Sequence, residues 1–207
     1  MARQTAISIN TIPIGPLGII GMPGCEGLTD KIDQYLVKWR KTQASEHAES
    51  IAFFGYQRDT YKIDVSIPRF GSGEGKGVIN ESVRGYDIYI VCDVFNYSCS
   101  YDMYGRKVYM SPDEHFADLK RVISALCSKP KRVSVIMPML YEGRQHKRSS
   151  RESLDCAMAL KELVHLGVEN IITFDAHDQR VQNAIPDKSF ENVMPTYQMI
   201  KALVNNV

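Results

Sequence analysis

Three short stretches of the sequence carry residue types whose spacing could do chemistry. Asp175-Ala176-His177-Asp178 sets an imidazole between two carboxylates. Such a trio can coordinate Mg²⁺ or hold a catalytic imidazole in position, and a lone histidine can equally be structural. Tyr141 to Arg151 gathers four cations, Arg144, Lys147, Arg148 and Arg151. Guanidinium forks match phosphate oxygens two at a time, so this loop suits a polyphosphate ahead of a carboxylate. A solvated basic loop and a nucleic-acid contact are the competing readings, but base readers interleave aromatics or carry a wider basic face. The third stretch is Phe70-Gly71-Ser72-Gly73-Glu74-Gly75-Lys76-Gly77. A Walker loop needs four residues before its Gly-Lys and then Ser or Thr, whereas three residues separate Gly71 from Gly75-Lys76 and Gly77 follows. Neither the spacing nor a following helix fits a dinucleotide fingerprint, so by itself the stretch reads as a hairpin loop.

The elements that must hold these loops alternate in type. Leu17 to Gly21 is a short apolar run, and Glu26 to about Trp39 carries Leu28, Ile32, Tyr35 and Leu36 at helical spacing. Tyr61 to Phe70 alternates as a strand does, with Ile63, Val65 and Ile67 on one face. Asp87 to Asp93 is almost continuously apolar, the pattern of a strand covered on both faces. Residues 94–110 form an aromatic-rich loop or hairpin. Ser111-Pro112-Asp113-Glu114 is a capping box with proline at the first helical position, and Phe116, Leu119, Val122, Ile123 and Leu126 supply a buried stripe that Lys129-Pro130 ends. The unit repeats with a strand at Arg132 to Met137 and a second capping box at Ser149-Ser150-Arg151-Glu152. That box predicts a helix running to Gly167, lined by Leu154, Ala157, Met158, Leu160, Leu163 and Val164, whose dipole adds positive potential beside the cationic loop. Strands at Asn170 to Phe174 and Ser189 to Met194, a loop or short helix between them and a helix at Tyr197 to Val204 complete the pattern. The fold class is therefore α/β, a mostly parallel sheet flanked by helices. In such sheets ligands bind outside the carboxyl ends of the strands, where all three loops fall. Residues 1–15 read as a loosely ordered extension, and 16–207 as one α/β domain.

Composition narrows the function. Of 207 residues, 44% are hydrophobic and 24% charged, ample for a core. Lys plus Arg number 25 and Asp plus Glu 24, so no global field favours nucleic acid or an anionic membrane, and any anion site is built locally. Five cysteines without a Cys-x-x-Cys pair argue against a disulfide framework and a zinc knuckle, and read as reduced thiols of a cytoplasmic protein. No run approaches the roughly 18 apolar residues that span a bilayer.

Taken in order, four stretches resemble the N-terminal half of ribose-phosphate pyrophosphokinase, also called phosphoribosyl pyrophosphate synthetase. They are Arg69 to Glu74, Glu81-Ser82-Val83-Arg84-Gly85-Tyr86-Asp87, Val135 to Pro138 leading to Gly143-Arg144-Gln145 and Lys147-Arg148, and Asp175-Ala176-His177. The likeness covers roughly residues 62–195, with weaker agreement from Gly18 to Leu36. It implies a phosphoribosyltransferase-like N-terminal domain that binds Mg-ATP. The family moves the diphosphoryl group of ATP to the 1-hydroxyl of ribose 5-phosphate, releasing AMP. By this resemblance Arg144, Gln145, Lys147 and Arg148 belong to the ATP-binding stretch. His177 is catalytic and helps hold Mg²⁺ near the phosphates. Phe70, Ser72 and Glu74 hold adenine from a neighbouring subunit of a homo-oligomer.

The chain departs from the family in several places. The family usually has an acidic residue where His146 stands, residues 42–61 and 97–110 look like insertions, and the acidic, Thr/Gly-rich ribose-phosphate loop occurs nowhere in the sequence. The expectation is a nucleotide-binding half whose ribose-phosphate domain is absent from this chain. The alternative is a non-catalytic regulatory or assembly partner of a complete synthetase.

Overall fold

The computed structural model describes residues 13–46 and 57–206; most of the expected extension at 1–15 and half of the insertion at 42–61 lie outside them. In chain order the strands and helices are β1 (Leu17–Gly21), α1 (Glu26–Glu46), β2 (Val65–Ser66), β3 (Val78–Ile79), β4 (Asp87–Val91), β5 (Ser100–Met103), β6 (Arg106–Tyr109), α2 (Pro112–Ala125), β7 (Arg132–Met137), α3 (Asp155–His165), β8 (Asn170–Phe174), β9 (Ser189–Val193) and α4 (Thr196–Asn206). A 3₁₀ turn, Gln179–Ala184, joins β8 to β9.

The main sheet has the order β1-β4-β7-β8-β9, and every neighbouring pair is parallel. Beyond β1, Tyr61–Ile63 lies along the outer edge: the Ile19 amide donates to the Tyr61 carbonyl and the Ile63 amide to the Ile19 carbonyl, each at 2.8 Å. The chain therefore moves outward on one side of β1 and returns to build the sheet on the other, and this reversal puts helices on both faces. Phe116, Leu119, Val122 and Ile123 of α2 and Leu160 and Leu163 of α3 close over Ile20, Ile88, Ile90, Val133 and Val135. On the opposite face, Ile32 and Leu36 of α1 pack over Ile19 and Val91. Ile88, Ile90 and Val91 are fully buried, as the continuous apolar run of β4 requires. No helix among the described residues is long and apolar enough to cross a membrane.

Several boundaries differ from the sequence reading. α1 continues well past Trp39, and Leu28 and Tyr35 face solvent, so only part of the helical spacing faces the sheet. α2 begins at its capping box but stops at Ala125, because Cys127 and Ser128 take positive φ before Lys129-Pro130 is reached. Only Val65–Ser66 of the 61–70 segment is paired as a strand, antiparallel to Val78–Ile79, though Ile63, Val65 and Ile67 do share the core-facing side. The second capping box opens no helix. Ser149 N–H and Ser150 Oγ both reach the Glu152 carboxylate, at 3.0 and 3.3 Å, but the backbone runs on as a loop to Leu154, whose side chain makes no cap. Met158, expected inside, is 57% exposed.

Candidate nucleotide site

The loops leaving β4, β7 and β8 at their carboxyl ends enclose a cleft of about 820 Å³. Its walls are Phe95 and Tyr97 after β4, Pro112 and Asp113 at the start of α2, Met139 to Arg144 after β7, and Phe174 to His177 after β8. Aromatic rings and a few polar groups in one concavity are the usual makeup of a small-molecule site. Tyr141 is locked in place: its ring stacks on Phe116 at 4.3 Å between centroids, and its hydroxyl donates to Asp113 at 2.7 Å. Burial, with Asp155 and Asp113 nearby, pushes the Glu142 carboxyl above its ordinary value.

Of the residues expected to act, Arg144 and His177 meet on this cleft. Gln145 ties the loop to the start of α3: its side-chain amide donates to the Ser153 carbonyl at 2.8 Å, and its own carbonyl receives the Cys156 amide at 3.3 Å. Lys147 and Arg148 are exposed on the same loop, outside the cleft wall. Because α3 starts at Asp155, a carboxylate already meets the positive end of its dipole, and the extra positive potential expected at Ser149 is not delivered there. His146, the residue that departs from the family pattern, bridges two loops. Its Nε2 lies 3.3 Å from the Asp178 carboxylate, its Nδ1 lies 3.1 Å from the Arg144 carbonyl, and its ring stands edge-on to His177 at 5.2 Å. Arg180 also grips Asp178, with contacts of 2.6 to 3.1 Å, and holds that carboxyl far below the usual range.

Phe70, Ser72 and Glu74 sit elsewhere, on a tight turn between β2 and β3, and none of them lines the cleft. The Phe70 amide donates to the Glu74 carbonyl and the Gly73 amide to the Phe70 carbonyl, both at 2.8 Å, while Ser72 Oγ donates to Glu74 at 2.8 Å. Gly73 needs its missing side chain, since φ is +94° and a Cβ would stand 3.0 Å from Met103 Sδ. Arg69 braces the turn: it donates to the Gly73 carbonyl at 3.2 Å and to Asp118 at 2.5 Å, and lies 4.5 Å over the Tyr101 ring. Tyr101 in turn hydrogen-bonds Glu114, the partner of the Ser111 cap in the capping box of α2.

Sequence reasoning gave no role to the aromatic wall of Phe95, Tyr97 and Phe174. Phe174 ends β8 and the other two follow β4, and that placement was the available signal, because the carboxyl-end rule points there.

A family model described as the N-terminal domain of ribose phosphate pyrophosphokinase matches residues 17–167. Ribose-phosphate pyrophosphokinase 1 of Schizosaccharomyces pombe is 28% identical over 138 residues, 66% of this chain and 30% of that protein. Ribose-phosphate pyrophosphokinase B of Dictyostelium discoideum is 27% identical over 117 residues, 56% of this chain and 32% of that one. Among solved structures, phosphoribosylpyrophosphate synthetase from Mycobacterium smegmatis superposes with a TM-score of 0.66 at 18% identity, covering 90% of this chain and 51% of that one. The fold is thus that of a phosphoribosyltransferase-like α/β domain, and the matched segments span about a third of the curated relatives' length.

Proposed function

Since the chain belongs to the family of the N-terminal domain of ribose-phosphate pyrophosphokinase, we propose that it is the nucleotide-binding half of a ribose-phosphate diphosphokinase. Its substrate is Mg-ATP. Its reaction moves the β,γ-diphosphoryl group to the 1-hydroxyl of ribose 5-phosphate, held by a ribose-phosphate domain beyond the matched segment. The observation that carries this reading is the meeting of Arg144 and His177 on one cleft at the carboxyl ends of β7 and β8.

In this reaction the bond from the sugar O1 to the β-phosphorus forms as the bond from that phosphorus to the AMP oxygen breaks. The sugar hydroxyl gives up its proton to solvent water, and AMP leaves with the former bridging oxygen and its negative charge. Catalysis of such a transfer is chiefly alignment and charge stabilisation. Arg144 presents its fork to the phosphates from the cleft wall, and Lys147 and Arg148 supply an exposed cationic edge outside it. Gln145 keeps that loop in register with α3 through Ser153 and Cys156. His146 does the same between the β7 and β8 loops, so that His177 faces the same space as Arg144.

Mg²⁺ arriving on the phosphates would find one hard donor on the cleft wall, the Asp175 carboxylate, with His177 beside it as the second holding residue; phosphate-borne Mg²⁺ usually takes only one or two protein carboxylates. When bound, it neutralises charge on the β- and γ-phosphate oxygens. Phe70, Ser72 and Glu74 meet adenine. Because they lie off the cleft of their own chain, a second copy supplies them, and the working form is a homo-oligomer in the cytoplasm. The free thiols of Cys25, Cys92 and Cys156, all buried, suit that compartment.

Calorimetric titration with Mg-ATP tests the reading. Loss of one charge-assisted phosphate contact is worth about tenfold or more in affinity, so Arg144→Ala is expected to bind at least about tenfold more weakly. Unchanged affinity contradicts the site. Robust AMP formation from Mg-ATP and ribose 5-phosphate by this chain alone contradicts the need for a second domain.

A further inference from the structure

The hairpin β5–β6 turns through only two residues, Tyr104 and Gly105, since Met103 pairs with Arg106. Both have positive φ, +48° and +75°. Turns of this kind favour Asn-Gly, because the left-handed region is disfavoured for side chains that cannot bond locally to the backbone. Tyrosine is a poor choice for the turn, and packing does not explain it: Tyr104 is 81% exposed, the most exposed of the large hydrophobic residues described. Such an outlier points to a use for the side chain.

Its neighbour suggests the use. The Tyr104 amide donates to the Gly71 carbonyl at 3.0 Å, which joins the hairpin tip to the turn beside Phe70, itself 57% exposed. The contact is reinforced from behind, where Met103 Sδ and the Tyr101 ring close on Gly73 and Arg69 clasps both Tyr101 and the Gly73 carbonyl. Two exposed aromatics thus stand on turns that a backbone hydrogen bond ties together, one of them carrying the Ser72–Glu74 hydrogen bond.

We propose that Tyr104 is a specificity-determining residue, a second aromatic surface that the hairpin presents beside Phe70 to the nucleobase. The inference deepens the reading of the Phe70 turn as the purine contact and rests on it. Stacking on an aromatic side chain tolerates any base but does nothing for a ligand without one. Tyr104 therefore raises affinity for ATP over inorganic tripolyphosphate.

The test compares Tyr104→Asn, Tyr104→Trp and Phe70→Ala in the full chain, each titrated with Mg-ATP and with Mg-tripolyphosphate. Tyr104→Asn is expected to keep or raise the thermal midpoint, because Asn-Gly suits the turn. It is also expected to bind ATP about tenfold more weakly with tripolyphosphate affinity unchanged, the scale of one lost stacking contact. Tyr104→Trp retains the preference for ATP. Equal loss of both ligands by Tyr104→Asn overturns the proposal in favour of a structural role. Unchanged ATP binding in Tyr104→Asn, with loss in Phe70→Ala, overturns the role of Tyr104 and leaves the Phe70 reading standing. No change in either variant overturns the Phe70 reading, and the proposal falls with it.

Discussion

Replacing Asp118 with asparagine is expected to unsettle the helix α2 and the Phe70 turn together. Its side chain is only 2% exposed and receives two guanidinium groups, Arg69 at 2.5 Å and Arg121 at 2.6 Å. Removing one partner of a fully buried ion pair costs about 3–5 kcal/mol. That range is an upper bound at this position. Arg121 is 34% exposed and can turn to water, so its share approaches the few tenths of a kcal/mol of a surface pair. Arg69 is 11% exposed, but it keeps the Gly73 carbonyl and the Tyr101 ring. The balance is a loss of about 2–3 kcal/mol, or a melting point lower by roughly 4–12 °C in a chain of this size. Urea unfolding measures it, with Arg69→Met and the double variant closing a cycle. In the Arg69→Met background the Asp118→Asn cost is expected to fall below about 1 kcal/mol, since the stranded charge is gone. A cost under about 1 kcal/mol in the wild-type background, or simple additivity, would refute the reasoning.

Other outcomes follow from the same structure. Gly77→Ala drives a Cβ to 2.7 Å from the Arg121 carbonyl and is expected to cost about 1–3 kcal/mol. Gly27→Ala, in open space near the start of α1, is expected to stabilise by about 0.5 kcal/mol, and denaturant midpoints should separate the two signs. Burial and the neighbouring Asp155 and Asp113 raise the Glu142 carboxyl above its ordinary 4.5, so folding favours its protonated form. Stability is therefore lost as pH rises from that ordinary value through the raised one, and Glu142→Gln should flatten the pH dependence in that window and stabilise above it. Burial pushes the Cys25 and Cys156 thiols up to about 11 and holds Cys92 well above its ordinary value. Cys127 is exposed, so brief alkylation at neutral pH should label it first by mass spectrometry.

Much of the fold was legible because local and long-range signals agreed. At Ser111-Pro112-Asp113-Glu114 the cap, the proline and the buried stripe all pointed to one helix start, and α2 begins there. At Ser149 to Glu152 the glutamate half of the box formed, with the Ser149 N–H on the Glu152 carboxylate, yet Leu154 has φ −124° and ψ 66°, and the chain enters α3 only at Asp155. A capping pair states what two side chains can do for each other; whether the backbone continues as a helix depends on tertiary contacts such as that between Gln145 and Ser153. Residues 61–63 read as part of a strand, but their place beside β1 rests on pairing across more than 40 residues, which periodicity does not encode. The candidate site divided in the same way. Arg144 and His177 were visible from residue type and their place after strands. The clasp of His146 on Asp178, and the hairpin that carries Tyr104 to the Phe70 turn, depend on contacts between distant segments.

The most direct measurement is backbone amide exchange of the full chain with and without saturating Mg-ATP. The expected result is protection concentrated at residues 139–148 and 174–178, the loops that wall the cleft, and its loss in Arg144→Ala. Absence of saturable binding, or protection confined to the α1 face of the sheet, would contradict the assignment of the cleft as a nucleotide site.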